Sequence, residues 1–361
     1  MDIVKQLELE FSLKPWQVEN TVKLIDDGNT IPFIARYRKE ATGSLDDQLL
    51  RELNDRLNYL RSLEEQKEKI IASITEQEKM TDDIAKSIEN AKTMTELEDI
   101  YRPFRPKRKT RASVAKALGL EPLAEAIYAQ EKGTPAPEIL AEDYLTDEVA
   151  DIESALQGAK NIIAELVSDD PNGRKLIRYA VHNNGMLTSK GADDDLGVYE
   201  MYKEYSEPVK SIAGHRVLAV NRGEKEGKLK VTIEFDKTIA TDLLFNIHCK
   251  NNTKATDLVI EAVEDSFSRL IFPSIEREIR NELTDNACEA SIKVFGENTR
   301  QLLMQPPVKG NVTIGLDPGY RTGCKVAVIS ETGKVLDTGV IYPAPPHNKI
   351  DEAKKTITAL V

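Results

Sequence analysis

A chain of 361 residues is long enough for two or three domains with separate cores. Its 40% hydrophobic and 30% charged residues are typical of a globular protein with charged helices, and they argue against both disorder and a membrane protein. The net charge of -12 argues against indiscriminate adhesion to nucleic acid. No apolar run approaches the roughly 20 residues that cross a bilayer, and the N-terminal segment lacks signal-peptide features, so we expect a cytoplasmic protein with no membrane partner.

Residues 1 to about 190 carry their apolar side chains mostly at helical spacing. The segment KPWQVENTVKLIDDG predicts one short helix, because Pro15 fits a first turn and Gly28 a C-terminal end. A compact segment and a long helix with a leucine stripe follow it. This order, over about 14–60, resembles the core of a helix-turn-helix, although any helical bundle can be divided in this way.

The compact segment of this region, FIARYRKE, is rich in cations. Arg36 and Arg38 are candidate contacts to nucleic-acid phosphates, because guanidinium groups neutralise phosphates. They can equally pair with Asp26, Asp27 and Glu40, and both interpretations stay open.

A second basic stretch, RPFRPKRKTRASVAK, runs from 102 to 116 without an acidic residue. Pro103 and Pro106 exclude a regular helix and predict an extended arm. Its cations can release counterions from a nucleic acid, and Tyr101 and Phe104 can stack on unpaired bases. The alternative is pairing with acidic residues elsewhere in the chain. The candidate nucleic-acid contacts in this arm are Arg102, Arg105, Lys107, Arg108, Lys109 and Arg111.

Around 209–236 the apolar pattern changes to alternation. HRVLAVN and LKVTIEF are β-branched runs joined by RGEKEGK, which predicts a β-hairpin. Helical spacing then returns up to about residue 304, and QPPVKG at 305–310 is typical of a linker.

Three strands and a helix are predicted after this linker. NVTIGLD, CKVAVIS and KVLDTGVIYP are the strands, the last two joined by a turn at ETGK, and NKIDEAKKTITALV starts the helix. Three antiparallel strands and one helix make an incomplete α/β layer. We therefore expect the chain to continue in the native protein.

Asp317 follows the first of these strands, in GLDPGYRTGCKVAVIS. Strand, Asp-Pro-Gly turn, hairpin and helix match the opening of the ribonuclease H-like fold, whose nucleases bind Mg²⁺ with a first-strand carboxylate and carboxylates from later elements. One carboxylate is insufficient for that chemistry. The same layout opens the sugar kinase and actin-like phosphotransferases, and Asp-Pro-Gly is also an ordinary turn, so Asp317 is a candidate catalytic residue with these alternatives open.

Four blocks of the sequence, in family order, resemble the bacterial Tex family of transcription accessory proteins. They are DDGNTIPFIARYRKEATGSLDDQLLREL, ELEDIYRPFRPKRKTRASVAKALGLEPLA, YSEPVKSIAGHRVLAVNRGEKEG and GLDPGYRTGCKVAVISETGKVLDTGVIYP. The resemblance implies a mainly helical N-terminal region with a helix-turn-helix-like part, followed by a YqgF-type ribonuclease H-like domain. Full-length members continue into helix-hairpin-helix motifs and an RNA-binding domain with the oligonucleotide-binding fold. The resemblance also implies a nucleic-acid-binding factor of transcription that is not an established nuclease.

The predicted fold is therefore mainly α, with an inserted β-hairpin, followed by the truncated start of an α/β ribonuclease H-like domain. Its predicted regions are a helical Tex-type region at 1–208, a β-hairpin with long helices at 209–304, and an incomplete YqgF-like domain at 311–361.

The predicted function is a nucleic-acid-binding scaffold of transcription, with RNA or DNA and transcription machinery such as RNA polymerase as partners. The alternative is a metal-dependent nuclease or resolvase that uses Asp317. Whether the protein is an enzyme stays open, since hydrolase activity needs carboxylates that this chain does not supply. No cofactor is predicted except Mg²⁺ in a complete YqgF-like domain, and the scattered cysteines and histidines predict no metal site.

Overall fold

The computed structural model describes residues 2–106, 109–306, 310–319 and 322–360. The chain divides into two compact units, Met1–Cys288 and Glu289–Val361. No helix in these described ranges is long and apolar enough to cross a membrane. The helices are α1 (Ile3–Phe11), α2 (Pro15–Asp26), α3 (Ile31–Tyr37), α4 (Lys39–Thr42), α5 (Asp47–Glu76), α6 (Asp82–Asn90), α7 (Met94–Tyr101), α8 (Arg111–Ala117), α9 (Glu121–Ala129), α10 (Pro137–Glu142), α11 (Ile152–Asp169), α12 (Pro171–Asn184), α13 (Gly214–Lys225), α14 (Lys237–His248), α15 (Lys254–Asp265), α16 (Phe272–Leu303) and α17 (Ile350–Leu360). The strands are β1 (Met186–Gly191), β2 (Glu204–Pro208), β3 (Leu229–Glu234), β4 (Thr313–Asp317), β5 (Cys324–Ile329) and β6 (Val335–Ile341).

The long helix α5 organises the N-terminal part of the first unit. Its N-terminus is capped by Asp46, whose Oδ1 accepts a hydrogen bond from the Leu49 amide at 2.8 Å. The predicted leucine stripe is confirmed in its later part, where four of its leucines are buried: Leu53, Leu57, Leu60 and Leu63. Leu53, Leu57 and Leu60 pack with residues of α1 and α2, and Leu63 packs with residues of α6 and α7. At the start of the stripe the prediction is wrong, because Leu45 lies before the helix begins, Leu49 is only half-buried, and Leu50 is the buried leucine of that turn.

Helix α11 lies in the main core of the first unit, packed against α8, α9 and α15. Ile163 and Val167 on this helix are buried, as are Val259 and Val263 on α15. Burial of such aliphatic side chains stabilises the folded state by roughly 1.5–3 kcal/mol each. A π-helical turn at Ser266–Ile271 joins α15 to α16.

The predicted β-hairpin around 209–236 is wrong. The segment HRVLAVN forms α13, because Val217, Val220 and Gly223 lie three residues apart and bury one helical face. LKVTIEF does form a strand, β3, but its partner is β1, with Met186 opposite Glu234 in an antiparallel register. β2 pairs with the other edge of β1, which gives a three-stranded sheet in the order β2-β1-β3.

The predicted extended arm is also wrong over much of 102–116. Arg102–Phe104 is a 3-10 turn that continues from α7, and proline is tolerated at the first positions of such a turn. Residues Arg111–Ala117 are helical because Thr110 and Ser113 cap that helix reciprocally. Lys107 and Arg108 lie outside the described residues.

The second unit contains the three strands and the helix that the sequence predicts after the linker. The strands β4, β5 and β6 form an antiparallel sheet in chain order, with Thr313 opposite Ile329. Helix α17 packs on this sheet, and Ala353 joins Val326 and Ile341 in a small buried cluster. Asp317 is the last residue of β4.

Candidate nucleic-acid interface

A cationic corner, defined here as residues 31–39, is formed by α3 and the start of α4. Ile34 anchors α3, since its side chain is fully buried beside Leu45 and Leu50. Pro32 fits the first turn of this short helix. With one face held in the core, the opposite face of α3 points outward, and 59% of Tyr37 is exposed.

The cations of this corner lie beside its aromatic rings. The Cζ atom of Arg38 is 5.0 Å from the centroid of the Phe33 ring, and that of Arg36 is 5.9 Å from the Tyr37 centroid. The two rings are themselves 5.2 Å apart. Cation–π contacts of this kind hold a guanidinium near a ring without using its N–H groups. Arg38 Nη1 donates to the Tyr37 carbonyl at 3.1 Å, and the other donors of that guanidinium stay available to acceptors.

The cations of the corner make no ion pair within 4.0 Å among the described residues. Asp26, one of the acidic residues that could have paired with these cations, pairs instead with Arg61. The pair is bidentate, with N–O distances of 2.8 and 2.9 Å. This pair lowers the pKa of the Asp26 carboxyl. Arg36, Arg38 and Lys39 are exposed, so their charges face solvent.

The basic stretch at 102–116 is different, because several of its cations have partners within the protein. Arg102 Nε lies 3.4 Å from Asp169 Oδ1, and Arg105 Nη1 lies 3.5 Å from Glu98 Oε2. Lys116 Nζ is 2.6 Å from Glu121 Oε1. The pKa of the Asp265 carboxyl is lowered mainly by a hydrogen bond from Arg269, and the nearby charge of Arg111 lowers it further. Internal pairing, the alternative that the sequence left open, is therefore present for part of this stretch. Lys109 is exposed.

Two aromatic residues at the start of the basic stretch, Tyr101 just before it and Phe104 within it, pack inward. The Tyr101 hydroxyl is hydrogen-bonded to Ser73 Oγ at 3.0 Å, and the Phe104 carbonyl accepts from Gln77 Nε2 at 3.0 Å. Both rings are partly buried against the core beside α5. Tyr37 is the more exposed ring, whereas Phe33 beside it is half-buried. Sequence reasoning missed both residues, although the alternation of aromatic and basic residues in IPFIARYRKE was a visible signal.

Asp317 is exposed at the last position of β4, opposite Lys325 of β5. Within the described ranges, no three histidine, cysteine, aspartate or glutamate side chains come together as a metal site would require. A two-metal centre needs several oxygen ligands on fixed elements. Asp317 is accordingly a single carboxylate beside a cationic neighbour.

A large helical unit with a small antiparallel sheet, followed by a unit of three strands and a helix, defines a mainly helical multidomain protein. Three family models match this chain: the Tex-like protein N-terminal domain over residues 1–75, the Tex central region-like domain over 132–295, and the Tex protein YqgF-like domain over 311–361. The chain belongs to the Tex family.

Relatives agree with this assignment over nearly the whole chain. It is 46% identical to "Uncharacterized protein YdcI" of Bacillus subtilis over 367 residues, which cover 99% of this chain and 50% of that protein. It is 37% identical to "Transcriptional accessory protein Tex" of Neisseria gonorrhoeae over 366 residues, covering 99% and 48%. It is 33% identical to human "S1 RNA-binding domain-containing protein 1" over 364 residues, covering 94% and 36%. The chain spans about half the length of the bacterial relatives that it matches.

Proposed function

We propose that this chain is a nucleic-acid-binding accessory factor of transcription that acts as a scaffold. Its family membership supports the proposal, as do two relatives whose names describe a transcriptional accessory protein and a protein with an S1 RNA-binding domain. RNA and DNA are both proposed partners, and the transcription machinery, including RNA polymerase, is the proposed setting.

The observation that carries the proposal is the cationic corner at 31–39. Within the described part of the chain its cations form no ion pair with other side chains, so a phosphate backbone gains their charge without first breaking one. Tyr37 offers an exposed ring on which a base can stack. A net charge of -12 over the whole chain restricts binding to such a local surface.

Single-stranded nucleic acid suits this corner best. Base stacking on aromatic rings needs unpaired bases, and it tolerates any sequence because every base has a π-face. The helix-turn-helix-like arrangement of α2 with α3 to α5 remains a second proposed contact surface, for duplex DNA. The exposed cations of the basic stretch, such as Lys109, are proposed to extend the contact along a strand.

The test is binding of fluorescent single-stranded RNA and DNA by a variant with Arg36→Ala, Arg38→Ala and Lys39→Ala, measured at several salt concentrations. We expect weaker binding at low salt. The slope of log affinity against log salt should decrease by about 0.7 for each phosphate contact that is lost.

The matched control is the triple variant Arg51→Ala, Lys69→Ala and Arg222→Ala. It removes the same charge from exposed helical positions, where each cation pairs with an acidic residue four positions away. We expect it to bind nearly as the parent chain does. Equal losses in the two triple variants would show that overall charge, rather than the cationic corner, controls binding, and would remove the main support for the proposal.

A further inference from the structure

A cavity of about 570 Å³ lies beside the 3-10 turn at Arg102–Phe104. Its wall includes residues of α7, α11, α12 and α16. Three arginines reach it from separate parts of the chain, namely Arg102, Arg105 and Arg174. Its volume is in the range of small-molecule sites, which are generally about 300–1,000 Å³.

Arg174 is one of the residues that line the cavity. The side chain is fully buried, its Nε donates to Asp99 Oδ1 at 2.7 Å, and its Nη2 donates to Ser274 Oγ and to Glu278 Oε1. Its Nη1 is buried and has no hydrogen-bond partner among the residues that the structure describes. Buried N–H groups of a guanidinium are almost always satisfied, so this atom calls for an acceptor inside the cavity.

Two of the carboxylates on the wall are already neutralised. Arg178 Nη2 lies 2.9 Å from Asp99 Oδ2 and 2.8 Å from Glu278 Oε2, so these two acids and the guanidiniums of Arg174 and Arg178 form a closed set with no net charge. Glu165, a further acid on the wall, is close enough to Arg269 to help raise the pKa of that guanidinium.

The other two arginines are held more loosely. Arg102 lies 3.4 Å from Asp169 and Arg105 lies 3.5 Å from Glu98, both longer than the 2.7–2.9 Å of a good charge-assisted hydrogen bond. Burial lowers the pKa of the Arg102 guanidinium, and the nearby charge of Arg174 lowers it further. Each of these guanidiniums has five N–H donors, so donors that do not face Asp169 or Glu98 can hydrogen-bond to an anion in the cavity.

We propose that this cavity binds a phosphomonoester, either of a free nucleotide or at the end of a nucleic-acid strand, and the second form rests on the function proposed above. A terminal phosphate has three exposed acceptor oxygens that suit the fork geometry of arginine. It can also enter a recess on the side of Arg174, whereas a backbone phosphate is flanked by two sugars. Arg102 and Arg105 belong to the basic stretch, which would lead a strand end to the cavity.

The direct test compares adenosine 5′-monophosphate with adenosine by isothermal titration on the whole 361-residue chain. We expect the phosphate to increase affinity at least about tenfold, as charge-assisted hydrogen bonds do. The variant is Arg102→Gln, because Arg102 is partly exposed and its loss spares the closed charge set, whereas a change at the buried Arg174 risks unfolding. The variant should lose most of this preference. Arg216→Gln, which removes an exposed arginine paired with Glu207 at 2.9 Å, should keep it.

A second arm compares 5′-phosphorylated and 5′-hydroxyl single strands of one sequence, to separate strand ends from free nucleotides. We expect tighter binding of the phosphorylated strand, reduced by Arg102→Gln. Preference for the monophosphate without preference between the two strands would assign the cavity to free nucleotides. A chain that distinguishes neither pair would overturn the proposal, with water as the partner of Arg174 Nη1. Equal binding of both strands would leave the proposed function intact, whereas binding of the monophosphate with neither strand bound would contradict the proposed function alone.

Discussion

Arg174 Nε donates to Asp99 Oδ1 at 2.7 Å, and this buried ion pair joins α12 to α7. Removing the Asp99 charge leaves Arg174 and Arg178 to share Glu278, so one buried positive charge is uncompensated, and breaking a buried pair generally costs about 3–5 kcal/mol. We therefore expect Asp99→Asn to lower the free energy of unfolding by an amount in that range, measured by urea denaturation. The control is Asp47→Asn, which breaks the exposed pair with Arg51 and should cost no more than about 1 kcal/mol. Similar costs for the two variants would show that solvent screens the buried pair.

Because His248 is buried, we expect the protein to lose stability in mild acid. The His248 side chain is 3% exposed, and its Nδ1 is 2.8 Å from the Tyr128 hydroxyl. Burial is the main reason that the pKa of His248 is below the ordinary value of 6.5, while Asp170 opposes this shift and Lys250 adds to it. Since His248 binds a proton more readily in the unfolded chain than in the folded one, acid favours unfolding. The contribution of neutral His248 to stability is complete above about pH 6.5 and is lost as the pH falls toward the pKa of the folded state. The limiting slope is about 1.4 kcal/mol per pH unit.

The measurement is the free energy of unfolding between pH 7.5 and 5.5, for the parent chain and for His248→Gln. The variant should be less stable at pH 7.5, and its stability should change less with pH. The matched control is His215→Gln at an exposed histidine, which should keep the parent slope. If His248→Gln and the parent showed the same pH dependence, other groups would control it.

Much of the local structure could be predicted because its cause is local. The leucine stripe of α5 depends on spacing within one helix, and the strands β4 to β6 depend on alternation and a short turn. Pairing of β1 with β3 could not be predicted in the same way, because Met186 and Glu234 are distant in sequence and the helix α13 lies between them. The valines of α13 suit a strand by residue type, and only their burial at three-residue spacing favours a helix.

The candidate site shows the same limit. Residue type identifies Arg36, Arg38 and Arg102 as possible phosphate contacts, but whether an arginine has a partner depends on tertiary structure. Arg102 is partly buried beside Asp169, which lies on α11, while Asp26 is taken by Arg61 and leaves the corner cations exposed. The sequence predicted which residues carry charge, and the packing decides which of those charges are available.

Gly223 lies in α13, the helix that replaces a predicted strand, and it has no room for a larger side chain. A Cβ atom there would lie 2.6 Å from Leu229 Cδ1 and 2.9 Å from Leu229 Cγ, and Leu229 is a buried residue of β3. We expect Gly223→Ala to lower the free energy of unfolding by about 1–3 kcal/mol through overpacking, although alanine has the better helix propensity. The control is Gly296→Ala in α16, where a Cβ meets nothing within 4 Å and a gain of up to about 1 kcal/mol is expected. A stabilising effect at both glycines would contradict the close packing of α13 on β3.

Asp317 alone is not expected to support metal-dependent cleavage of nucleic acid. Asp317 is exposed opposite Lys325, and the described part of the chain brings no other two ligands to it. A solitary carboxylate leaves Mg²⁺ largely hydrated, so we expect this chain to cleave neither branched DNA, single-stranded DNA nor RNA in Mg²⁺ or Mn²⁺. Asp317→Asn should lower the free energy of unfolding by at most about 1 kcal/mol, because the carboxylate is exposed and its cationic neighbour Lys325 lies at the surface too. The comparison variant is Asp337→Asn, at another exposed aspartate of the same sheet. Cleavage that disappears in Asp317→Asn but persists in Asp337→Asn would make the nuclease hypothesis the leading one, because only a ligand of the reacting metal would have that effect.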